Sequence, residues 1–100
     1  MAEFKINKRG DITIICSTTE EAIEGYSKIL STNKPSDSPI SLTQLFCMFN
    51  FPLNTKYTKE FPFCYWTIMD FVYAYVTKDK NGHGVIHLPK CRFFRGDNYE

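Results

Sequence analysis

From residue 3 to residue 16 the sequence alternates apolar and polar residues on both sides of a turn-forming cluster, and nothing later in the chain constrains the fold as tightly. Phe4 and Ile6, then Ile12 and Ile14, recur with a period of two around Asn7-Lys8-Arg9-Gly10-Asp11. A period of two sends successive side chains to opposite faces of a strand, and a Gly/Asp/Asn cluster lets the backbone reverse. The spacing predicts paired strands over 3–7 and 11–16. Ser17-Thr18-Thr19-Glu20-Glu21 follows at once, with a hydroxyl cap, a glutamate three positions on, and acids suited to the first turn of a helix. Ala22, Ile23, Tyr26, Ile29 and Leu30 then recur at three- and four-residue spacing, so a helix over about 18–31 presents one apolar stripe.

Lys34 to Pro39 carries two prolines around Ser36-Asp37-Ser38 and reads as an exposed loop. Ser41-Leu42-Thr43-Gln44 repeats the capping pattern and launches Leu42, Leu45, Phe46, Met48 and Phe49, which cover most of a short, buried helix. Asn50, Pro52 and Asn54 end it, and Lys56-Tyr57-Thr58-Lys59-Glu60 is a solvated connection. Phe61 to Thr77 has two readings. Pro62 suits the first position of a helix over about 62–70, whereas the aromatic and β-branched residues from Tyr65 to Thr77 suit a strand. Lys78 to Gly84 is a polar, glycine-containing turn before Val85-Ile86-His87-Leu88, so a C-terminal hairpin is expected. At 100 residues this amounts to a single α+β domain over 1–100: an N-terminal β-hairpin, two to three helices and a C-terminal β-hairpin.

With 43% hydrophobic and 23% charged residues the chain is too apolar for disorder. A net charge of +1 and a pI near 7.6 lack the basic excess of a dedicated nucleic-acid-binding domain. Residues 1–8 intersperse charges where a secretion signal needs an apolar block, and Asp70 interrupts the longest apolar run, Cys64 to Val76. The expected location is cytoplasmic, with no membrane partner. Nine Lys against three Arg, with nine Ile, nine Phe, six Tyr and six Asn beside three Ala, follow AT-rich codons, as in a low-GC bacterium or a phage or plasmid living in one.

Cys16, Cys47, Cys64 and Cys91 are widely separated, contain no Cys-x-x-Cys pair and sit among apolar neighbours, so four reduced, metal-free thiols are expected. His83, His87 and Cys91 share a four-residue spacing that would gather ligands on a helix, but Gly82, Gly84 and Pro89 oppose a helix there. His83 then belongs to a turn and His87 to one strand face, with Cys91 an even number of residues further along. Asp70 sits among Met69, Phe71 and Val72, where burial would raise its pKa and a basic partner would lower it. No nucleophile elbow, phosphate loop, dinucleotide fingerprint or metalloprotease helix occurs, and no cofactor is expected.

The functional lever is aromatic content. Sixteen aromatic residues per hundred exceed what a core of this size needs, so part of them should form a binding patch. Arg92-Phe93-Phe94-Arg95 interleaves aromatics with arginines, the residue types that dominate interface energy, and Tyr57 with Lys56 and Lys59 is the next candidate. The expectation is a small non-enzymatic protein, a phage- or mobile-element-encoded inhibitor that docks on a larger host protein such as a defence or nucleic-acid enzyme, in the host cytoplasm. The alternative is a small nucleic-acid-binding or regulatory domain that uses the basic-aromatic C-terminal tail.

Overall fold

The alternation at the N-terminus forms the expected hairpin. In a computed structural model, which describes residues 3–6, 11–31, 38–51, 59 and 64–92, β1 (Glu3–Ile6) pairs antiparallel with β2 (Ile12–Cys16), Phe4 opposite Ile14. Residues 7–10, where the turn is expected, lie outside the described residues. Of Ser17 and Thr18, either of which could cap the helix, Thr18 caps α1 (Thr19–Leu30), its hydroxyl accepting from the Glu21 N–H at 3.1 Å, with Glu20 and Glu21 in the first turn.

The second capped helix is α2 (Leu42–Met48). Ser41 accepts from the Gln44 N–H at 3.1 Å while the Gln44 side chain accepts from the Ser41 N–H at 2.9 Å, a reciprocal box that satisfies two donors at the helix entrance. Its other end closes just as locally. Asn50 adopts φ +58°, a left-handed conformation that asparagine tolerates better than most residues. That bend lets the Asn50 N–H donate to the Cys47 carbonyl at 3.2 Å and the Phe51 N–H to the Phe46 carbonyl at 2.9 Å. Phe51 packs edge-on against Phe46 at 5.1 Å between ring centres, the apolar contact that accompanies such a helix end.

Pro39 belongs to a strand, which corrects its assignment to an exposed loop. β3 (Pro39–Ser41) pairs with β4 (Tyr65–Thr67), and Ile40, opposite Trp66, is fully buried. Residues 34–37 of that loop lie outside the described residues. The region from 61 to 77 also departs from both of its readings. Strand β4 occupies 65–67, where a helix over 62–70 had been one expectation; a 3-10 turn, Ile68–Tyr73, follows; and only then does β5 (Tyr75–Lys78) begin. Pro62 lies outside the described residues. The expected C-terminal hairpin is present: β5 pairs with β6 (Gly84–Leu88), and the Asp79 N–H donates to the His83 carbonyl at 3.0 Å across the turn.

The four-stranded sheet has the order β1-β2-β6-β5, antiparallel throughout, so the two hairpins meet where β2 pairs with β6. Phe4, Ile12, Ile14, Cys16, Ile86 and Leu88 share one face and are buried, with Val76 packed against them. Gly84 is on that face too: a Cβ there would lie 2.5 Å from the Thr18 carbonyl oxygen and 2.8 Å from the Ala22 Cβ, so the missing side chain lets α1 lie directly on β6. Ala22 and Ile29 of α1, Leu42, Leu45 and Phe46 of α2, Ile40, Trp66 and Phe71 complete the core. Trp66 donates its indole N–H to the Pro89 carbonyl at 2.8 Å, which satisfies the one polar atom of the largest buried side chain. The opposite face carries Glu3, Lys5, Thr13, Ile15, Val85, His87, Tyr75 and Thr77, all exposed or half-buried.

Candidate docking surface

The 3-10 turn after β4 is built like a helix entrance. The Thr67 hydroxyl accepts from the Asp70 N–H at 3.4 Å, and the Asp70 carboxylate accepts from the Thr67 N–H at 2.8 Å. Asp70 then takes a second partner from far along the chain. Arg92 donates from Nε to Oδ2 at 3.0 Å and from a terminal nitrogen to Oδ1 at 3.1 Å, a two-pronged fork that matches the carboxylate plane. Those donors hold the Asp70 carboxyl below the usual carboxylate range, against the upward push of partial burial, and the Thr67 N–H adds to the effect. Arg92 is set in place by its own backbone, whose N–H donates to the Tyr65 carbonyl at 2.8 Å in an isolated bridge to β4.

Phe71 anchors the turn. It is fully buried, 5.9 Å from Trp66 between ring centres, and its carbonyl accepts the Tyr26 hydroxyl of α1 at 2.8 Å. With the backbone held at Thr67, Asp70 and Phe71, the neighbouring side chains are left pointing into solvent. Met69 is 55% exposed, Val72 60%, Tyr73 77% and Tyr75 57%, four large apolar side chains within seven residues. Ile23 and Leu30, both exposed, stand two turns apart on the flank of α1 that carries Tyr26. Scattered apolar exposure is ordinary on a protein surface, whereas several such groups on one short segment make it the candidate docking surface among the described residues.

Tyr75 extends this surface onto the uncovered sheet face. Its ring stacks on His87 at 4.5 Å and 11°, and His87 Nε2 lies 2.8 Å from the Thr77 hydroxyl. Three neighbouring side chains thereby hold one another in fixed orientations.

Of the residues singled out from sequence, Arg92 is described, and its guanidinium is engaged by Asp70. Phe93, Phe94, Arg95 and Tyr57 lie outside the described residues. His83 sits in the β5–β6 turn with Nδ1 3.2 Å from Asp79 Oδ2. His87 is on the uncovered face while Cys91 is buried, so the two do not share a side of the chain. Among the described residues no three His, Cys, Asp or Glu side chains gather as metal ligands. None of the four cysteines is in a disulfide; Cys47, expected among apolar neighbours, is exposed. Burial pushes the thiols of Cys91 and Cys64 up, the opposite of what an activated nucleophile requires. Among the described residues no helix is long and apolar enough to cross a membrane.

Met69, Val72, Tyr73 and Tyr75 were not singled out as binding residues from sequence. The signal was present in Thr67-Ile68-Met69-Asp70, the same hydroxyl-x-x-acid pattern as at Thr18, which starts a turn inside the aromatic run. Comparison with known protein families, with curated proteins and with solved structures finds no match.

Proposed function

We propose that this chain is a non-enzymatic binding protein that docks on a larger protein through the surface formed by Met69, Val72, Tyr73 and Tyr75. The observation that carries the reading is the exposure of these four side chains, 55–77%, on a segment whose backbone is fixed by the Thr67–Asp70 box and the Arg92 fork. Rigid, exposed aromatic and apolar groups lose little conformational freedom on binding and give much of the energy of an interface. The AT-rich composition and small size extend the proposal: an inhibitor encoded by a phage or mobile element, acting in the host cytoplasm on a defence or nucleic-acid enzyme.

A second reading has one observation in its favour. The stacked Tyr75–His87 pair on an uncovered sheet face suits an unpaired base, as in single-strand nucleic-acid binding. Capture from a low-GC bacterial lysate, with the Val72→Ser/Tyr73→Ser variant in parallel and mass spectrometry of what is retained, tests docking. A protein held by the wild type and lost by the variant supports it; equal retention by both rejects it. A salt series on the captured complex separates the two readings, because several phosphate contacts cost about 10³-fold or more in affinity between 50 and 200 mM salt and an apolar interface does not.

A further inference from the structure

β5 is an outer strand of the four-stranded sheet, and the hairpin register determines where its backbone points. Asp79 and His83 form a hydrogen-bonded pair at 3.0 Å. Bonded and non-bonded pairs alternate along an antiparallel ladder, so Thr77/Val85 and Tyr75/His87 bond inward, and the N–H and C=O groups of Val76 and Lys78 point away from β6. Among the described residues those outward groups have no partner.

The charges around this edge are unbalanced. Lys78 on the strand and Lys80 two residues on have no ion pair among the described residues. Asp79 between them accepts from the Asn81 and His83 N–H groups, both at 2.9 Å, and Asp70 takes the Arg92 fork, so the two lysines outnumber the one carboxylate that lies between them in sequence. The opposite edge differs, because Lys5 of β1 has Glu3 of the same strand 4.0 Å away. Tyr75 of β5 stands on the sheet face away from the core with His87, and Tyr73, 77% exposed, ends the 3-10 turn that leads into the strand.

We propose that the outer edge of β5 takes up an extended, acidic segment of the partner protein as a fifth strand. The Val76 and Lys78 backbone groups supply the hydrogen bonds, Lys78 and Lys80 meet the carboxylates, and Tyr75, with Tyr73 at the entrance of the strand, covers apolar side chains of the incoming segment. This rests on the docking reading above and adds its mode and the chemistry of the partner. An extended peptide matches a ladder of alternating N–H and C=O groups, which a nucleic acid does not, and the near-neutral chain lacks a basic field for phosphate.

The test selects phage-displayed random short peptides on the immobilised full chain and maps a selected synthetic peptide by amide hydrogen exchange. The expected sequences alternate apolar residues with Asp or Glu, and the bound peptide slows exchange at the Val76 and Lys78 amides. Val76→Pro removes an outward N–H at an edge position where proline is tolerated, and should weaken peptide binding by about tenfold or more. Lys78→Glu should weaken acidic peptides to a similar extent; if Val76→Pro fails to fold, this variant and the amide protection decide.

Binding that survives Val76→Pro but is lost in Val72→Ser/Tyr73→Ser overturns strand addition and leaves docking standing. Binding unaffected by either variant overturns both. An absence of selected peptides, peptides without acidic bias, protection at other amides, a self-associating chain protected at Val76, or preferential binding of an oligothymidylate each overturns the proposal.

Discussion

Two segments of this chain begin with the same device and end in opposite places. The Ser41/Gln44 box opens α2 and the Thr67/Asp70 box opens the 3-10 turn, each satisfying two backbone donors reciprocally. After the first, Leu42, Leu45 and Phe46 enter the core, and a left-handed Asn50 folds Phe51 back over Phe46. After the second, Phe71 alone of the turn's six residues is fully buried, while Met69, Val72 and Tyr73 face water. Capping therefore establishes local structure without deciding which apolar residues the core absorbs. Where the core has no room, a capped turn becomes a platform for apolar groups, held here by the burial of Phe71 and by the fork from Arg92.

The contrast is sharpened by substitutions whose effects should differ severalfold. Phe46→Ala is expected to have the largest, about 3–5 kcal/mol, because it opens a cavity among Phe4, Leu45 and Phe51 and removes the contact that closes α2. Urea unfolding would show it directly, and a loss under 1 kcal/mol would mean that α2 is not a core element.

Asp70→Ala comes next, at about 1.5 kcal/mol, since Thr67 loses its acceptor and Arg92 its partner, and exposure of the arginine limits the loss. This effect depends on pH in a defined direction. The folded chain holds the Asp70 carboxyl below its unfolded value of about 3.9, so the contribution is fully present above that value and is lost as pH falls through the lower, folded pKa. In acid, wild type and variant should converge in stability; a constant gap down to the acid transition would refute the charge-based account of the clamp.

Ser41→Ala removes one cap acceptor from α2 and should cost about 1 kcal/mol, measurable as a lower urea midpoint with an unchanged slope. Smallest of all is Val72→Ser, expected within about 0.5 kcal/mol of wild type because the side chain is 60% exposed.

The same comparison shows how much of the molecule can be found in its residues. The first hairpin and both capped helices follow from contiguous signals, an alternation or a hydroxyl three residues ahead of a Glu or Gln. The path from 65 to 78 does not, because aromatic and β-branched residues without a clean period suit strand and helix alike, and the arbiter is the pairing of Ile40 with Trp66 across a long intervening segment. Nor is the Arg92–Asp70 fork legible, since twenty-two residues separate its members. The aromatic surplus predicts exposed aromatic side chains; that Tyr73 and Tyr75 are among them depends on which residues the nonlocal pairing left over.

The central claim is that the side chains at 69, 72 and 73 serve binding and contribute nothing needed for folding. Unfolding free energy and partner capture should therefore be measured on one variant, Met69→Ser/Val72→Ser/Tyr73→Ser, against wild type. The account predicts stability within about 1 kcal/mol of wild type and loss of the captured protein. A stability loss of several kcal/mol, or undiminished capture by a folded variant, would contradict it.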